Sequence, residues 1–215
     1  LFEQNLEDRT RILGPHHPST LASRINLANA YRDAGRLEEA IALYESTLKT
    51  QIDTLGAYHP GTLITRNNLA NAYQDAGRLE EAISLHESTL KTQIDTLGAY
   101  HPGTLITRNN LANAYQDAGR LEETIALFEQ NLEDRTRILG PHHPDTLASR
   151  NNLAGAYRDA GGLEEAIPLY EQTLTDCTYV LGPHHPLTLT TRNNLANAYL
   201  AAGRSEDAEK LFTTP

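Results

Sequence analysis

From Gly61 to Gly98 apolar and polar residues alternate with a helical period. Leu63, Leu69, Ala70, Tyr73 and Ala76 fall on one face of a first helix, which ends at Gly77, a residue suited to the left-handed position after a helix. Leu79, Ala82, Ile83, His86, Leu90, Ile94 and Leu97 keep helical spacing along a second helix that stops at Gly98. His101-Pro102 follows, and proline suits the first turn of the next helix. The pattern predicts a pair of helices with His-Pro as the punctuation between pairs.

That pair is repeated. His-Pro recurs at His17-Pro18, His59-Pro60, His101-Pro102, His143-Pro144 and His185-Pro186, always 42 residues apart. Residues 1–18 are letter-identical to 127–144, 45–60 to 87–102, and 61–81 to 103–123. Two antiparallel helices per unit, in tandem, bury their apolar faces only by stacking on their neighbours, which makes a one-dimensional solenoid. The expected organisation is one solenoid domain over 1–215. Residues 1–18 supply an orphan second helix and connector, 19–60, 61–102, 103–144 and 145–186 are complete units, and 187–215 is a truncated last one. No Met occurs and Leu1 falls in mid-motif, so a piece of a longer protein is expected. Neither end carries a polar capping helix, which leaves flanking domains or head-to-tail self-association to cover them.

Leu69-Ala70-x-x-Tyr73, Gly77-x-Leu79-Glu80-Glu81-Ala82 and Leu90 resemble the tetratricopeptide repeat (TPR). The longer period, the Asn-Asn-Leu-Ala core and the L-G-x-x-H-P connector are similar to the kinesin light chain type of that repeat. The resemblance covers the whole chain. It implies an all-α, right-handed superhelical solenoid of antiparallel hairpins; the lack of catalytic motifs argues separately for no enzymatic activity and no cofactor. The resemblance also implies that the first helices line a concave groove, and that such arrays serve as sensing or recruiting arms of larger signalling proteins. One departure stands out: Arg24, Arg66, Arg108, Arg150 and Arg192 replace the large aromatic usual early in the first helix. These inward positions call for a partner, and Glu45, Glu87, Glu129 and Glu171 stand at the facing height of the second helix. An intra-hairpin pair such as Arg66 with Glu87 is expected.

On the side opposite the apolar stripe, Ile64, Asn68, Asn71 and Asp75 follow one another at spacings of 4, 3 and 4. Counting by 42 gives three rows. The first is Asn26, Asn68, Asn110, Asn152 and Asn194; the second is Asn29, Asn71, Asn113 and Asn197, broken by Gly155; the third is Asp33, Asp75, Asp117 and Asp159. A carboxamide both donates and accepts, so a row of them can hold an extended peptide through its backbone, as in the similar Asn ladder of the transferase that adds N-acetylglucosamine to Ser and Thr. Solvated amides copied by duplication are the alternative. The Asp row would favour a partner carrying Lys or Arg, unless it is neutralised by Arg36, Arg78 and Arg120; Arg32 and Arg158 stand at the groove flank. Asn67 falls on the flank as a passive residue. TPR domains that grip a terminal carboxylate use Lys and Arg; Asn67, Ile64 and Asn110 occupy the matching positions here, which argues against that ligand. Kinesin light chains imply binding of short cargo peptides, and the same shortage of cations argues against acidic ones.

Composition narrows the rest. A net charge of −10 disfavours nucleic acid and anionic membrane as partners. The single Cys177 cannot form an internal disulfide, and neither a long apolar run nor a signal peptide is present, which suits a cytoplasmic location. The phosphate-loop and H-E-x-x-H motifs are missing. His16-His17, His142-His143 and His184-His185 read as connectors rather than metal ligands, since adjacent turn histidines rarely converge on one ion. His86, where Tyr44, Phe128 and Tyr170 stand elsewhere, reads as a core or half-buried residue. The leading expectation is a peptide- or protein-binding module, with a self-assembling scaffold as the rival.

Overall fold

The computed structural model describes residues 1–213, and the 42-residue period reappears in it as helices. In chain order these are α1 (Phe2–Leu13), α2 (Pro18–Asp33), α3 (Leu37–Leu55), α4 (Pro60–Asp75), α5 (Leu79–Leu97), α6 (Pro102–Asp117), α7 (Leu121–Leu139), α8 (Pro144–Asp159), α9 (Leu163–Leu181), α10 (Pro186–Ala201) and α11 (Ser205–Thr213). Among the described residues there is no strand. The even-numbered helices are the first (A) and the odd-numbered the second (B) of each hairpin. The chain divides into two compact units, residues 1–114 and 115–215.

The connectors act as caps. Each His-Pro puts the proline at the start of helix A, where its missing N–H costs nothing, and the histidine at the N-cap. The Nδ1 of His17, His59, His101, His143 and His185 accepts the N–H two residues on, at 3.1–3.2 Å. One donor that helix geometry would leave unpaired is thereby satisfied. At the other end of α4, Gly77 takes φ +74°, Arg78 N–H reaches Tyr73 O at 2.8 Å, and Gly77 N–H reaches Gln74 O. This paired closure turns the chain into α5 within three residues. Gly98 stops α5 at φ 93° and ψ 157°, a region open in practice only to glycine.

Within each unit a helix A packs on its own helix B and on the helix B before it: α4 on α5 and α3, α8 on α9 and α7. Successive A helices also touch, α2 beside α4 and α8 beside α10. In unit 1, Ala28, Ala40, Ile41, Tyr44, Leu69 and Ala72 form one core cluster across three helices. Ala154, Ala166, Ile167, Tyr170, Leu195, Ala196, Ala198 and Tyr199 do the same in unit 2, with Ala208 of α11. A leucine as buried as Leu69 contributes roughly 1.5–3 kcal/mol.

The inner face of helix B is rotated from the expected one. Ile94 and Ile52 are exposed, whereas Gln93 and Gln51 are buried. The connector explains it. The chain folds back over the end of helix B, and the Gln93 amide nitrogen lies 3.5 Å from where a Cβ on Gly103 would sit. Thr62 and Thr65 are likewise buried; their hydroxyls donate to Gly56 O at 2.9 Å and Gly61 O at 3.1 Å.

The expected Arg–Glu pairs do not form in these hairpins. Arg66 donates to Ser88 Oγ and Arg24 to Ser46 Oγ, both at 2.8 Å, while Arg150 pairs with Asp176 at 2.5 Å. The glutamates serve the next repeat instead. Tyr73 OH donates to Glu45 and Tyr199 OH to Glu171 at 2.6 Å, and Tyr157 OH to Glu129, each across 28 residues. Burial and, after it, the bond to Glu45 push the Tyr73 phenol up to about 12.

Replacing His59 by Ala removes an N-cap and is expected to cost about 1 kcal/mol in denaturant unfolding, while His59→Asp, a strong capping residue, recovers most of it. Equal stability of all three proteins would show that the histidine cap is idle.

Candidate functional site

In unit 1 the exposed side of the A helices carries the amide rows. Ile64 and Ile106 are more than half exposed, Asn26 is exposed, and Asn68, Asn71, Asn110 and Asn113 are half-buried. The 4-3-4 spacing puts Ile64, Asn68, Asn71 and Asp75 in line along α4, and the copied letters do the same along α6. The amides of Asn26, Asn68, Asn71, Asn110 and Asn113 make no bond to another side chain. Asn29 differs: its Oδ1 accepts a short hydrogen bond from Tyr44 OH. Clefts of this unit such as the 420 Å³ one lined by Leu48, Ile52, Leu69 and Tyr73 open along helix B away from these amides, whereas a smaller one of 180 Å³ near the start of the chain is lined by Asn26 together with Asn5, Arg9 and Ser23.

Unit 2 presents the same positions less uniformly. Asn194 Nδ2 donates to Asn151 Oδ1 at 3.2 Å, Asn152 is half-buried, Asn197 is exposed, and Gly155 leaves a gap. Asp159 accepts from Gln116 Nε2 at 2.6 Å and from its neighbour Arg158 at 2.9 Å.

Arg36 and Arg78, after the first two A helices, pair with glutamates and not with the Asp row. Arg36, Arg78 and Arg120 pair with Glu39, Glu81 and Glu123 three residues on, and their guanidinium groups lie 4.1–4.4 Å over the rings of Tyr31, Tyr73 and Tyr115. The closing turn aims each of them into the first turn of helix B, where the glutamate stands. Asp75 has Arg32 at 3.6 Å, and the same guanidinium is 4.0 Å from Asp33, so one cation serves two largely exposed carboxylates.

Behind the amides lies a polar network. Asn67, expected to be a passive flank residue, is buried; its Nδ2 donates to Thr107 Oγ1 of the next repeat at 2.6 Å, and its Oδ1 faces His86 Nδ1 at 3.3 Å. The amide orientation makes His86 the donor at Nδ1, which leaves Nε2 buried and unpartnered. Burial pushes His86 down to about 4, so it is neutral at pH 7. The signal was present in the letters: Ile25 stands beside Tyr44 in the first hairpin, where the second has Asn67 beside His86.

In the fourth hairpin Tyr170 is fully buried and its hydroxyl has no partner. The missing side chain is at Gly155, where an added Cβ would lie 3.3 Å from that hydroxyl. Cys177 is buried, with its thiol pushed up by burial, which disfavours nucleophilic chemistry. Among the described residues no cluster of His, Cys, Asp and Glu is placed to hold a metal ion, and no helix is long and apolar enough to cross a membrane.

Stacked hairpins with Tyr–Glu ties and capped connectors define a helical-repeat solenoid protein. A profile of the tetratricopeptide repeat matches residues 1–53, 28–95, 61–123, 103–178 and 149–214, and the chain belongs to the TPR family, whose members are in general protein-interaction modules. Its repeats are of the kinesin light chain-like kind. A candidate kinesin light chain from Podosopora anserina, with nearly identical TPR-like repeats, is 37% identical over 91% of this chain and 93% of that one, with a TM-score of 0.79. A point variant of it gives 36%, 91%, 92% and 0.80. BtubC (BKLC) from P. vanneervenii, 22% identical over 98% of this chain and 85% of that one, shares the fold at a TM-score of 0.81. No curated protein matches the chain.

Two stability measurements test the network. Unfolded His86 takes up a proton near its ordinary 6.5, whereas the folded residue refuses it down to about 4. Stability contributed by this residue is therefore complete above pH 6.5 and is lost as pH falls toward 4, at up to about 1.4 kcal/mol per pH unit. Chemical unfolding at pH 7, 6 and 5 should show a shallower acid loss in His86→Phe than in the parent; parallel curves would contradict a neutral buried His86. Gly155→Asn is expected to raise stability by about 1 kcal/mol, by removing a helical glycine and giving Tyr170 a partner. A lower thermal midpoint would mean that the 3.3 Å contact cannot relax.

Proposed function

We propose that the exposed side of the A helices in unit 1 binds an extended peptide segment of a partner protein, through its backbone at the Asn rows and through Lys or Arg side chains at the Asp row. The observation that carries this reading is the set of unbonded, half-buried amides at Asn68, Asn71, Asn110 and Asn113, two per helix and in the same places on α4 and α6. The buried amides of Asn67 and Asn151 are partnered within the fold, whereas these four are partly open to solvent and carry no side-chain partner. One presented at a surface offers two donors and an acceptor in a geometry that pairs with the N–H and C=O of an extended residue. Asn26 and Asn29 continue the rows on α2, and Asn152, Asn194 and Asn197 stand at the same positions within unit 2. Ile64 and Ile106 add apolar surface beside the amides. Asp33 and Asp75, sharing one guanidinium, supply the negative edge, and Asp117 and Asp159 stand in the same row. In this reading the protein is a recruiting module, and backbone recognition makes it tolerant of partner sequence while the charge selects basic segments.

Fluorescence anisotropy with acetyl-(Thr-Lys)4-amide, a soluble peptide that favours extended structure, tests it. Asn68→Ala/Asn110→Ala should weaken binding roughly ten-fold with an unchanged melting curve, as losing two to four solvent-competing hydrogen bonds implies. Asp33→Asn/Asp75→Asn should weaken it less, and the difference should shrink as salt is raised. Unchanged affinity in the amide variant would remove the Asn rows from the function.

A further inference from the structure

The second amide row is not uniform, and the cause lies on the other helix of each hairpin. In the first hairpin Tyr44 is fully buried, and its hydroxyl is the donor that occupies Asn29 Oδ1. In the second hairpin the same position is His86, equally buried and turned the other way, with Nδ1 on Asn67 Oδ1 and Nε2 on nothing. Asn71, the counterpart of Asn29, keeps its oxygen and both hydrogens. The helix B residue itself decides which amide is met. The Tyr44 hydroxyl reaches Asn29, and Tyr170 likewise aims its hydroxyl at Gly155 although Asn151 stands where Asn67 does; the imidazole of His86 meets Asn67 instead, and Asn71 is released. An amide whose oxygen is held can still donate but is fixed in orientation. A free amide can rotate to donate to a backbone C=O and accept from the N–H of the same extended residue.

We propose that the buried helix B residue sets whether each groove amide can grip a peptide backbone: Tyr44 ties Asn29, and His86 leaves Asn71 open as a two-point contact. Tyr44 and His86 are positioning residues, acting through the amides rather than touching the ligand. The consequence is a defined register within unit 1, with the backbone held at α4 and only loosely at α2. This rests on the peptide-groove reading above and adds to it which amides do the holding.

The full chain labelled with 15N and titrated with acetyl-(Thr-Lys)4-amide reports each side-chain NH2 separately. The parent should show Asn71 moving and Asn29 still. Tyr44→Phe should bring Asn29 into the response and tighten binding. His86→Tyr should silence Asn71 and weaken binding roughly five- to thirty-fold, the range that one to two kcal/mol of hydrogen bonding represents. His86→Phe removes the imidazole without supplying a hydroxyl, so Asn71 must stay responsive; its loss there would mean a disturbed core and overturn the gating. Equal responses of Asn29 and Asn71 in the parent, or a pattern unmoved by Tyr44→Phe and His86→Tyr, would overturn the gating and leave the groove standing. A peptide that moves no Asn amide in any variant would overturn the groove itself, and the gating with it.

Discussion

Within each compact unit the A helices α2, α4, α8 and α10 have two B-helix neighbours, their own and the one before, and the second contact is one that no hairpin can make alone. Leu69 depends on it. So do the phenols of Tyr31, Tyr73, Tyr157 and Tyr199, whose carboxylate partners all stand 28 residues earlier, on the preceding helix B. A hydroxyl–carboxylate bond at the edge of an apolar contact fixes register in a way that apolar area does not, because a slip of one residue leaves the carboxylate facing a methyl group. Burial provides the adhesion and the Tyr–Glu bonds provide the alignment.

Deeper in the same contact the repeats fall into kinds. Where helix B carries Arg9 or Arg135, the facing helix A carries Ser23 or Ser149, and the guanidinium reaches over the connector to Ser19 O or Asp145 O at 3.0 Å. Where helix B carries Gln51 or Gln93, the facing residue is Thr65 or Thr107, whose hydroxyl turns back to its own helix at 3.0–3.1 Å. With Cys177 the partner is Thr191. The smaller serine makes room for the larger cation, and Ser149 also accepts from Arg135 at 2.8 Å; the threonine faces no such cation. These residues change together because they share one space, so exchanging a single member would strand a buried donor or overfill the contact.

The period, the helix ends, the connectors and the apolar stripe were legible from the letters because each rests on local chemistry: proline at a first turn, glycine at positive φ, leucine at helical spacing. What was not legible lies at the second contact. Facing heights within one hairpin point Arg66 at Glu87, but helix rotation brings Ser88 to it, and Glu45, Glu129 and Glu171 are drawn to the tyrosines of the following repeat. Ile94 and Gln93 exchanged places for a related reason: the connector covers the glutamine side, and a single-helix wheel contains no connector. Asn67 read as surface because amides usually are, and only its neighbours Thr107 and His86 make it interior.

Duplication gives a further reason to attend to departures from the repeat. Copies as recent as 61–81 and 103–123 are alike whether or not likeness is useful, so five asparagines in a row say little by their number. A substitution inside such a background must be accommodated by the copies around it. Tyr44 with Asn29, and His86 with Asn67, are two self-consistent pairings of one buried ring position, and they leave different amides unbonded. Gly155 with Tyr170 is a third, in which the amide is absent and the phenol goes unpaired. An array of identical hairpins could bind a backbone at any offset of 42 residues. In the proposed groove, hairpins that differ beneath the surface would present the ligand with a row of unequal grips, and that inequality would convert a sticky track into a site with a register.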